Sequence, residues 1–169
     1  MPAVPPAVAA SPVRGRSLVV GIVLLGLAAA ATGIAYQRLQ TRRCLAFYGP
    51  EVARLVVAAP RVELLVVAPG SAAGRLVAVD ARDVSAARGL VHLRRGLVED
   101  ANFDWRPAAG GRLPEAAWDA ALVFTDPAGA TATLVVDLDD GGSLAVVGRP
   151  GRVGLGRIAR GLRKWVGGL

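Results

Sequence analysis

The sequence predicts an α+β fold: a single transmembrane helix near the N-terminus, then an antiparallel sheet of about five strands with about three helices packed mainly on one face. Three observations carry this expectation. Residues 17–36, SLVVGIVLLGLAAAATGIAY, hold no charged side chain. Residues 117–148 alternate apolar and polar positions in three short runs separated by turns rich in Gly and Asp. Residues 84–99 and 156–166 repeat apolar residues at helical spacing, with charged residues on the opposite side.

The elements follow in chain order. Residues 1–16 begin with a Pro- and Ala-rich run that has no strand or helix period, and read as a disordered tail. The transmembrane helix is expected over 17–37, with Ser17, Leu24, Leu27 and Tyr36 along it. Twenty helical residues rise about 30 Å, the thickness of a hydrocarbon core. Arg14 and Arg16 flank one end, and Tyr36, Arg38, Arg42 and Arg43 the other, so the positive charges are nearly balanced and do not set an orientation. A cleaved signal sequence is the competing reading, because Gly33 and Ala35 put small residues at the positions a signal peptidase reads. Residues 38–48 read as a basic juxtamembrane linker, with Cys44 as a bystander thiol near the interface.

The folded domain is expected over 49–169. Gly49-Pro50-Glu51 suits a helix start, and Pro60 stops that helix. Residues 61–68 and 75–80 read as a strand pair across a Gly-containing turn. In the helix expected over 84–99, Asp83 is the candidate N-cap. Gly89 and Gly96 lie seven apart, on one face where a close packing partner is expected. A meander then follows. Trp118, Ala120, Leu122 and Phe124 face inward, followed by Ala132, Leu134, Val136 and Leu138, then Leu144 and Val146. The last helix gathers Leu155, Ile158, Leu162, Trp165 and Val166 on one arc and Arg157, Arg160, Arg163 and Lys164 on the other, a basic amphipathic helix.

Charge is partitioned along the chain. Residues 1–49 hold five arginines and no acid, 50–148 nine arginines against thirteen acids, and 149–169 five arginines and one lysine with no acid. The net +7 therefore sits beside the apolar run and at the C-terminus. That distribution suits an anionic membrane surface and argues against a nucleic-acid groove in the domain body. The contacts expected with such a surface, or with another anion, are Arg38, Arg42, Arg43, Arg157, Arg160, Arg163 and Lys164.

Little points to catalysis. Cys44 is the one cysteine, so no intramolecular disulfide and no Cys-paired metal site can form. His92 is the one histidine, and no GxSxG surrounds any serine. Glu99, Asp100 and Asp104 cluster after a helix end, where carboxylates can serve acid–base chemistry or a divalent cation. They are the weak metal candidates, and no cofactor is expected. Residues 148–157, GRPGRVGLGR, place glycines and arginines ahead of a helix without matching a Walker or dinucleotide pattern. The expected function is a membrane-anchored, non-catalytic interaction or scaffold module, with a lipid bilayer as partner and a protein as a second. A membrane-tethered enzyme using the acidic loop is the alternative.

Overall fold

The structure, a computed structural model, describes residues 13–68, 76–105, 118–139 and 141–169; the side chains of 13–16, 37 and 38 lie outside that description. Residues 1–12 of the expected tail and the side chain of Arg38 therefore fall outside the described residues. The chain divides into two units, Met1–Leu39 and Gln40–Leu169.

The first unit holds helix α1, Val13–Gln40. Its segment Ser17–Tyr36, with Leu24 and Leu27, has a mean hydropathy of 2.4 and is nowhere buried. One helix is thus long and apolar enough to cross a membrane. Inside the run, the Thr32 hydroxyl donates to the Ala28 carbonyl at 2.8 Å, so its polar group is satisfied within the helix.

The second unit opens with α2, Arg42–Ala58, earlier than the Gly49-Pro50 start expected. Gly49 adopts φ +71 and breaks the helix into two segments, and Pro50 sits in the first turn of the second. The stretch expected to be linker is helical from Arg42 because Cys44 and Tyr48, one turn apart, are 1% and 0% exposed in the core. Cys44 is thus a core residue, a correction to its placement near an interface.

The sheet has six strands rather than about five: β1 Arg61–Val67, β2 Ala78–Asp83, β3 Ala120–Thr125, β4 Thr131–Val136, β5 Ser143–Val146 and β6 Arg152–Gly154. Their order is β2-β1-β3-β4-β5-β6, with every neighbouring pair antiparallel. The extra strand is β6, three residues inside the stretch read as a Gly/Arg loop. Its pairing Leu144↔Val153 holds it against β5.

Helix α3 covers Leu90–Leu97, six residues shorter at its start than expected. Asp83 is not its N-cap: Gly89 is, at φ +88. Asp83 ends β2, and its carboxylate accepts the Ser85 N–H at 2.8 Å. The last helix, α4, covers Ile158–Gly167. The partner expected beside Gly89 and Gly96 is α4. A Cβ on Gly89 would lie 3.4 Å from Trp165 Cδ1, and one on Gly96 3.2 Å from Ile158 Cδ1.

The main core joins one face of the sheet to α2, α3 and α4: Val62, Leu64, Leu122, Phe124, Leu134, Val136 and Leu144 meet Tyr48, Val56, Leu93, Leu97 and Leu162. The opposite face carries a smaller cluster of Val67, Trp118, Ala121, Val135 and Ala145. Two expectations are corrected here. Trp118 joins this second cluster because it precedes the ladder of β3, and Ala121 is buried rather than outward.

Candidate functional site

The acidic residues singled out by sequence are dispersed into structural roles. Asp100 begins a 3-10 turn, Asp100–Asn102, and its carboxylate accepts the backbone N–H of Arg43 at 2.9 Å and of Cys44 at 2.8 Å. Thr41, at the N-cap position of α2, makes no side-chain cap, so a carboxylate from far along the chain satisfies the first turn instead. Glu99 pairs with Arg95 Nε at 3.0 Å and accepts from Asn102 Nδ2 at 3.3 Å. Asp104 uses its backbone in a bridge to Gly154, with N–H to carbonyl distances of 2.9 and 3.3 Å. Among the described residues, no group of three His, Cys, Asp or Glu side chains could hold a metal ion. His92 is exposed on α3.

Sequence reasoning missed Arg94. Its guanidinium donates to the Val57 carbonyl at 3.0 Å and to the Ala59 carbonyl, and lies 5.9 Å from the centre of the Phe124 ring. A cation thus closes the C-terminal end of α2 as Asp100 closes its N-terminal end, each matching the sign of the helix dipole. Burial lowers the Arg94 pKa below its ordinary value. Burial, then the adjacent Asp100 carboxylate, pushes the Cys44 thiol far up, and burial does the same to Tyr48.

The cations fall into two groups. Arg42, Arg43, Arg157, Arg160, Arg163 and Lys164 are all exposed. On α4 the apolar residues Ile158, Ala159, Trp165 and Val166 pack on the core with buried Leu162, and Trp165 Nε1 donates to the Arg88 carbonyl at 3.0 Å. Two of the cations, Arg43 and Arg157, line one open cavity of about 560 Å³ with Ala101, Phe103, Asp104, Trp105 and Gly156.

No protein-family model, curated protein or solved structure matches the chain. What the site can do therefore rests on its own geometry.

That geometry is built from three segments. The bridge Asp104↔Gly154 ties the loop after α3 to β6, and Gly156 lies so close to the loop that a Cβ there would sit 3.0 Å from the Asn102 carbonyl oxygen. Trp105 is fixed by its Nε1–H on the Asp100 carbonyl at 2.7 Å. Its ring meets Phe103 and Phe47 edge-on at 5.7 and 6.1 Å. An aromatic wall thus lines the same cavity as Arg43 and Arg157. The Gly/Arg stretch forms β6 and a second cavity of about 400 Å³ that includes Trp118, Arg149 and Arg152. Arg149 there donates to the Phe47 carbonyl at 3.3 Å.

Proposed function

We propose that the chain is a membrane-anchored, non-catalytic module whose folded unit meets an anionic bilayer surface through exposed cations. The observation that carries the reading is the uncharged, unburied helix segment Ser17–Tyr36. Support comes from the exposure of Arg42, Arg43, Arg157, Arg160 and Lys164, in the two acid-free parts of the sequence. On this reading α4 is a basic amphipathic helix whose apolar side is already committed to the core. It offers headgroups its cations and does not insert. The acidic loop, with Asp100 and Glu99 engaged in helix capping and ion pairing, favours the non-catalytic reading over a tethered enzyme.

The test is carbonate washing of membranes that carry the full chain, with mass spectrometry of what is retained. The uncleaved protein is expected to stay in the membrane fraction. Release into buffer without detergent, or a mature form beginning after Ala35, overturns the reading.

A further inference from the structure

We propose that the cavity between the start of α2 and the start of α4 is a headgroup pocket for an anionic glycerophospholipid, with Arg43 and Arg157 holding the phosphate. The inference rests on the anchoring reading and deepens it.

The first argument is the state of the arginines. Arg54, Arg61, Arg82 and Arg95 pair with carboxylates, and Arg94 and Arg149 donate to backbone carbonyls. Arg43 and Arg157 line the cavity, and among the described residues neither guanidinium has a hydrogen bond or an ion pair. Two planar forks on one cavity match the oxygens of a phosphodiester.

The second argument is the wall. Trp105 has already used its N–H, so it presents ring surface, with the buried Phe103 ring packed edge-on against it. Such rings suit the glycerol and first methylenes of a lipid at the headgroup level. The third is Asp104 in the same cavity. A carboxylate opposes a bare, doubly charged phosphate. It opposes a singly charged phosphodiester less. The pocket therefore favours a phosphodiester headgroup over inorganic phosphate. Its volume, about 560 Å³, lies in the range of small-molecule clefts, roughly 300–1,000 Å³. The fourth is covalent reach. Arg43 follows Tyr36, the last residue of the apolar run, by seven positions. Even fully extended, that chain spans at most about 25 Å.

The experiment uses the full chain in a neutral detergent, titrated separately with phosphatidylglycerol, phosphatidylcholine and inorganic phosphate, with the melting temperature as readout. Phosphatidylglycerol is expected to raise it; the other two are not. The pair Arg43→Gln with Arg157→Gln is expected to weaken the apparent affinity about tenfold, and Arg61→Gln with Arg82→Gln, two cations already paired with carboxylates elsewhere, to leave it unchanged. Should the first pair fail to fold, Arg43→Lys with Arg157→Lys keeps the charge, loses the fork and is expected to weaken binding in the same direction. No shift with phosphatidylglycerol, an equal shift with inorganic phosphate, or equal losses in the Gln pairs overturns the pocket. Because detergent replaces the bilayer, these outcomes are separate from carbonate release, which bears on anchoring alone.

Discussion

Asp100 does for α2 what Thr41 does not: it receives the N–H groups of Arg43 and Cys44 at the helix start. Asp100→Ala is expected to cost about 1–2 kcal/mol, the usual worth of a cap, measured by urea denaturation; a loss near zero would show that water substitutes for the carboxylate. Cys44, whose own N–H is held there, has its thiol pushed far above the range in which free thiols react. It should resist a disulfide reagent at pH 8 while the fold persists and react once the fold is lost. Fast labelling of the native protein would contradict the burial. Asp126 gives the pH dependence. The Ala130 N–H, the Arg54 guanidinium and the Ala128 N–H hold its carboxyl below the ordinary carboxylate value. Its contribution is thus complete above about pH 4, the unfolded value, and is lost as pH falls through the lowered folded value. Asp126→Asn should flatten that part of the acid-unfolding curve, and an unchanged curve would place the acid lability elsewhere.

Among the elements, α3 and α4 are matched through two glycines. Gly89 sits at φ +88 against Trp165, so Gly89→Ala should destabilise by about 1–2 kcal/mol for the left-handed backbone alone, read from thermal melting. Leu162 is fully buried beneath α4, and Leu162→Ala should cost about 2–5 kcal/mol. A cost below 1 kcal/mol would mean that α4 is loosely docked. Much of this level was legible. Strands β3, β4 and β5 declared themselves by alternation, β1 by a β-rich run bounded by prolines, and the glycine pair at 89 and 96 foretold a close neighbour. The misses have local physical causes. Three residues of β6 are too few to show a period. Asp83 resembles an N-cap because the same carboxylate chemistry closes the turn to Ser85. The first segment of α2 hid its apolar positions, Cys44 and Tyr48, behind the arginines at 42 and 43. Trp118 fitted the inward alternation by count, but it stands before the ladder that enforces it.

For the molecule as a whole, sequence located the cations but not the cavity that two of them line. Arg43 and Arg157 stand at opposite ends of the folded unit's sequence. They share a cavity only because Asp100 holds the start of α2 and the Asp104 bridge holds Gly154. Such long-range closures leave no periodic mark. A chain starting at Gln40 is expected to keep its far-ultraviolet β signal and to leave the membrane fraction; retention on carbonate-washed membranes would move the anchor into the second unit. The connection between the units has a mechanical consequence. Thr41 alone separates α1 from α2, so tension arriving along the chain enters the folded unit there. Close to that entry are the two bonds on Asp100, which makes that carboxylate a latch whose release under load would unfasten the neighbouring arginine from its place.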